Sequence, residues 1–158
     1  MASEQANGFY KGRGLFGRVP DMYKYLASNF SNVISRCRLN EKVTLTEWRK
    51  PSWSFHGKGI WYWDKSDKDG NGEFFCNVVG SSNFGVRSFY RDTEVQLILV
   101  TAPGSKDTQV LGAEFKKEQN NLWNPEYSTA LTQVVCRNML SEVPKWMQYL
   151  SAFLRQYF

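Results

Sequence analysis

The chain has 158 residues, 42% of them apolar and 16% aromatic, a composition that excludes a disordered polymer and suits one domain with a buried core. A formal net charge of +5 makes nucleic acid, phospholipid headgroups and phosphate esters plausible partners, but the basic residues are scattered and fit an ordinary solvated surface. The three cysteines, Cys37, Cys76 and Cys136, are odd in number and lack CxxC spacing, so neither a disulfide framework nor a zinc site is expected.

Met1 to Tyr10 lacks the basic and then apolar order of a secretory signal, and no run is apolar for long enough to read as a transmembrane helix. Residues 1–19, with Gly8, Gly12, Gly14 and Gly17, read as loop; no P-loop or dinucleotide fingerprint is present. Pro20-Asp21 predicts a helix start, and Met22, Leu26, Phe30, Val33 and Ile34 recur at helical spacing to about Arg36. Val43 to Trp48 alternates as a strand, and Pro51 ends it. A central strand is expected over about Ser54 to Trp63, followed by a polar turn at Asp64–Gly72 and a returning strand at Glu73–Val79. Asp67-Lys-Asp-Gly-Asn-Gly72 has the opening of an EF-hand loop, but the position that needs a bidentate Glu is Val78, so a plain hairpin turn is expected.

After Gly85, residues 86–92 read as a polar connector. Thr93–Thr101 reads as a strand buried on both faces near its end, stopped by Pro103-Gly104. A helix is expected over about Ser105–Asn121, with Leu111, Phe115 and Leu122 on one side. Residues 124–142 fit no single pattern. Pro144 opens a last helix to Phe158, whose stripe of Trp146, Met147, Leu150, Phe153 and Leu154 is expected to pack on the sheet rather than lie in a membrane interface. The order predicts an α/β (α+β layered) fold, one domain over residues 1–158 with a central sheet flanked by helices.

His56 is the only histidine. On a strand, side chains alternate faces, so His56 and Lys58 would point the same way. An imidazole beside an ammonium suits a phosphate site: the cation holds negative charge, and the histidine attacks phosphorus or carries a proton. Ser81 and Asn83, in the turn after the returning strand, could donate to phosphate oxygens. Glu94, opening the next strand, could orient a histidine, and Arg87 could add charge. Opening a phosphodiester through a phosphohistidine takes two histidines at one site. One histidine makes this a half-set, and a second set is expected on another chain or segment.

His56-x-Lys58, Gly80-Ser81-x-Asn83, Arg87-Ser88 and Asp92-x-Glu94 resemble the second HKD motif of the phospholipase D superfamily. Within it, Ala6-Asn-Gly-Phe9, Trp53-Ser-Phe-His-Gly-Lys-Gly-Ile-Trp61, Gly80-Ser-Ser-Asn-Phe-Gly-Val-Arg-Ser88 and Tyr90-Arg-Asp-Thr-Glu94 resemble the C-terminal part of eukaryotic phosphatidylglycerophosphate synthases. The resemblance implies a phospholipase D-like domain with a central mixed sheet, corresponding to the second HKD half, with the first half outside this chain. It implies transfer of a phosphatidyl group from CDP-diacylglycerol to glycerol-3-phosphate with release of CMP. His56 would be the general acid and base, Lys58 and Asn83 the phosphoryl ligands. Partners would be these two substrates, a membrane surface, and a complementary HKD half or a second copy. The location would be mitochondrial, with no cofactor, no metal and no nucleic acid. The superfamily pattern places an aspartate where this chain has Trp63; Asp64 lies one place late. Two other readings stay open: a one-motif phosphodiesterase or nuclease working as a homodimer, and a non-catalytic fragment of the fold.

Overall fold

In the computed structural model, which describes residues 1–64, 73–102 and 104–154, helix α1 spans Val19–Arg36, with Pro20 in its first turn where the sequence predicts the start. The chain divides into two compact units, Met1–His56 with Asn124–Phe158, and Gly57–Trp123.

The first unit is built on α1. Its buried face carries Val19, Met22, Ala27 and Ile34 together with Ser28 and Ser31, while Phe30 and Val33 are exposed. Helices α4 (Gln133–Glu142) and α5 (Lys145–Leu154) follow one another. The Thr132 hydroxyl caps α4 by accepting from the Val135 N–H at 3.3 Å. Met22, Val143 and Met147 form a buried cluster that Leu150 and Leu154 complete. The apolar stripe of α5 therefore packs on α1 and not on a sheet, and it divides: Met147 is buried, whereas Trp146 and Phe153 face solvent. The Lys24 ammonium lies 2.9 Å from Glu4 and 3.0 Å from Glu142, tying the N-terminal segment and α4 to α1. Burial alone would lower its pKa, but its hydrogen bonds to the two carboxylates outweigh this and raise it above the ordinary lysine value.

Strand β1 (Thr46–Trp48) is shorter than expected and does not join a central sheet. It pairs antiparallel with β5 (Ser128–Ala130), a strand inside the stretch the sequence left open. Ala2 adds a parallel bridge to Trp48.

The second unit holds β2 (Gly59–Asp64), β3 (Glu73–Gly80) and β4 (Gln96–Val100) in the order β2-β3-β4. Both pairings are antiparallel, so the described sheet is antiparallel rather than mixed. The predicted β2–β3 hairpin forms, with Ile60 opposite Val78 and a register shift between Tyr62 and Trp63. Its tip at 65–72, and with it the EF-hand-like stretch, lies outside the described residues. Helix α3 (Lys106–Leu122) begins at Ser105, whose hydroxyl accepts from the Thr108 N–H at 3.0 Å. It covers one face of the sheet: Phe115 stacks on Phe74 at 4.6 Å, and Phe74 meets Trp63 at 5.3 Å. Trp61 meets Trp123 edge-on at 6.1 Å.

Two expectations need correction here. Val86–Tyr90 forms a short helix, α2, instead of a connector. Strand β4 is not buried on both faces: Leu97, Ile98 and Val100 are 63%, 62% and 63% exposed. The reason is positional. α3 packs over β3, and among the described residues β4 pairs with β3 alone, on the sheet's edge. Phe74→Ala is expected to destabilise the protein by ~3–5 kcal/mol, whereas Ile98→Ala changes it by under ~1 kcal/mol. Urea denaturation of the two variants checks the assignment of inside and outside.

Candidate active site

The site is assembled where β3 ends and β4 begins. A Cβ on Gly80 would lie 2.2 Å from the Val95 carbonyl oxygen and 2.8 Å from Gln96 Cα. No side chain fits there, so glycine is what lets the two backbones meet. Past this contact the Ser81 N–H donates to the Val95 carbonyl at 3.0 Å, and the Val95 N–H donates to the Ser81 hydroxyl at 3.1 Å. The Ser81 hydroxyl in turn donates to the Glu94 carboxylate.

Lys58 enters from the other side of β3. Gly59 pairs with Val79, so continuing the antiparallel register sets Lys58 beside Gly80. Lys58 is half-buried. Burial holds its pKa below the ordinary lysine range, and the Glu94 carboxylate opposes that shift. An ammonium, a hydroxyl and a carboxylate are thus gathered at the ends of three strands.

The turn that follows is tightly braced. Phe84 adopts a left-handed conformation, φ 56°, a strained choice for a bulky residue. Its N–H donates to the buried Ser82 hydroxyl at 3.0 Å, and the Asn83 N–H donates to the Ser88 hydroxyl at 3.1 Å. Asn83 is exposed. Arg87, on α2, pairs with Asp92 at 2.9 Å. Residue type alone assigns Ser88 and Asp92 no role; the signal for them in the sequence is their place in the Arg87-Ser88 and Asp92-x-Glu94 run.

His56 belongs to the first unit and is its last residue before Gly57. It is exposed. Its predecessor is anchored: the Phe55 N–H donates to the Ala6 carbonyl at 2.8 Å, and the Phe55 ring lies 5.0 Å from Trp48. Lys50 sits over Trp53 at 4.3 Å and over Tyr127 at 5.0 Å. Residues 53–58 are not strand; β2 starts at Gly59 and not near Ser54. The ladder partner runs out first: among the described residues the β2–β3 pairing starts at Gly59 opposite Val79, and β3 ends at Gly80. The alternation that put His56 and Lys58 on one strand face therefore does not hold. Among the described residues no group of three His, Cys, Asp or Glu side chains comes together as a metal site.

No protein-family model matches the chain. Curated proteins do. The mitochondrial CDP-diacylglycerol–glycerol-3-phosphate 3-phosphatidyltransferase of Gallus gallus is 28% identical over 158 residues, all of this chain and 26% of its own length. The corresponding Saccharomyces cerevisiae protein is 36% identical over 128 residues, 77% of this chain and 24% of its own length. This chain is a homologue of those phosphatidyltransferases. It spans about a quarter of the length of the relatives it matches. Among solved structures, the crystal structure of phosphatidylserine synthase from Haemophilus influenzae Rd KW20 superposes with a TM-score of 0.72 at 19% identity. That match covers 99% of this chain and 34% of the synthase, and it establishes a shared mixed α/β fold.

Gly80→Ala is expected to destabilise the protein by ~1–3 kcal/mol, measured by urea denaturation, because the methyl group meets backbone that cannot move aside. Glu94→Gln removes the carboxylate that supports the Lys58 charge, so the Lys58 pKa falls further. Titration of labelled lysine side chains by NMR reads that shift directly.

Proposed function

We propose that this chain supplies one half of a phosphatidyltransferase site, in which the phosphatidyl group of CDP-diacylglycerol is passed to glycerol-3-phosphate. The observation that carries the reading is the gathering of Lys58, Ser81 and Glu94 at the strand ends, in a chain homologous throughout to phosphatidyltransferases. In this reading the Lys58 ammonium and the Asn83 amide hold the phosphoryl oxygens, where charge develops in the transition state. Arg87 adds positive field beside them. Glu94 and Ser81 hold each other and set the position of the Lys58 charge.

A histidine from a complementary half attacks the phosphorus of CDP-diacylglycerol and displaces CMP. His56, as imidazolium, gives its proton to the departing CMP oxygen. The same imidazole, now neutral, takes the proton from the glycerol-3-phosphate hydroxyl, whose oxygen attacks the phosphohistidine and frees the nucleophile. The complement is a second HKD half or a second copy of this chain; the location is the mitochondrion, as in the name of the Gallus gallus relative, at a membrane surface where the lipid substrate lies.

Mass in solution is the first measurement, by light scattering over a range of concentrations. A monomer holds one histidine and is expected to release no CMP alone; a dimer, or a complex with a complementing half, is expected to release it. In the active assembly His56→Ala lowers turnover at least ~10²–10⁴-fold, and unchanged turnover would reject the assignment. Lys58→Arg keeps the charge at all working pH values. The wild-type rate falls at alkaline pH as Lys58 deprotonates, earlier than an ordinary lysine would, and the arginine variant moves that limb upward.

A further inference from the structure

Between Gly8 and Arg18 the chain carries Lys11, Arg13 and Arg18 and no acidic residue. Every residue from Gly8 to Phe16 is exposed. Leu15 and Phe16 are 67% and 68% exposed, and Phe9 and Tyr10 extend the same apolar run. Single exposed apolar residues are ordinary, but four in one short basic loop are not.

The loop is shaped to present them. Its base turns through the Tyr10 N–H to the Asn7 carbonyl and the Gly12 N–H to the Phe9 carbonyl, both 2.9 Å. Asn7 is itself buried, and its side-chain oxygen accepts from the Phe9 N–H at 2.9 Å. Further on, a Cβ at Gly17 would lie 2.2 Å from the Gly12 carbonyl oxygen, so two glycines touch backbone to backbone and pinch the loop shut. Gly14–Arg18 is a short 3-10 helix where the sequence predicts loop; Arg13 and the first residues of that helix, Gly14-Leu15-Phe16, form the tip between the two glycines, and the Phe16 ring stacks on Phe9 at 6.2 Å and 15°.

We infer that this loop docks the protein on an anionic phospholipid bilayer, with Leu15 and Phe16 entering the headgroup–acyl boundary and Lys11 and Arg13 meeting lipid phosphates. A bilayer interface is the surface that rewards apolar and cationic groups on one short segment. The inference deepens the transferase reading and rests on it only for the choice of a lipid surface as ligand. Among the described residues no helix is long and apolar enough to cross a membrane.

The test is flotation of the purified chain with vesicles of phosphatidylglycerol and phosphatidylcholine, against vesicles of phosphatidylcholine alone. Binding is expected to the anionic vesicles and to weaken in high salt. Leu15→Ser with Phe16→Ser lowers the partition coefficient at least ~10-fold. Lys11→Gln with Arg13→Gln lowers it by roughly 5-fold per charge. Tyr149→Ser with Phe153→Ser, on the exposed side of α5, leaves it unchanged. Phe16→Trp adds a reporter whose emission shifts to the blue and is quenched by brominated lipid, which keeps the test intact if a double variant misfolds. Failure of the wild type to bind, wild-type binding by both loop variants, or loss of binding through α5 alone would overturn the inference. Flotation needs no turnover: vesicle binding by a dimer or complemented assembly that releases no CMP rejects the transferase reading alone, and CMP release by that assembly in detergent without vesicle binding rejects this one alone.

Discussion

The contact of Gly80 with the Val95 carbonyl governs the second unit. It closes the sheet at the end where the candidate site lies, and the Ser81–Glu94 bond forms where the backbones already touch. Lys58 is set beside the same place by the β2–β3 register. A packing constraint with no side chain thus positions three residues of the candidate site. Strain next door has the same character: Phe84 holds a left-handed backbone that the Ser82 and Ser88 hydroxyls brace from either side.

Much of this was legible in the residues, and the parts that were not share a cause. Pro20 and Ser105 announce helices through local chemistry, a preset φ and a hydroxyl cap, and both helices form there. The Glu73–Gly80 hairpin arm follows from alternation and a polar turn. Burial of β4 could not be read this way. Gln96-Leu-Ile-Leu-Val100 has the same pattern whether it lies inside a sheet or on its edge, and only the placement of α3 over β3 decides. The strand expected through His56 failed for a related reason: Trp53 and Phe55 alternate like strand residues, but a strand needs a partner, and β3 stops opposite Lys58.

The candidate site divides along the same line. Motif order named Lys58, Ser81, Asn83, Arg87 and Glu94, because residue type and spacing carry that signal. It could not say that Ser81 would bond Glu94, that Asp92 would hold Arg87, or that Ser88 would brace the Asn83 turn. Those are matters of register and turn geometry. The first unit shows the complementary case, where Lys24 joins Glu4 and Glu142 across 118 residues of sequence from the latter, a link no local pattern encodes.

The edge of β4 has a consequence for how the chain behaves in company. Its outward row of N–H and C=O groups borders five residues without a lysine, a proline or any charge, the devices that ordinarily discourage strand addition. Among the described residues β4 has β3 as its one ladder partner, so its outer edge is the side on which an extended, uncharged peptide would lengthen the sheet by one strand. A lysine in place of Leu97 or Ile98, both exposed, would act as a gatekeeper there, favouring dispersed chains at high concentration.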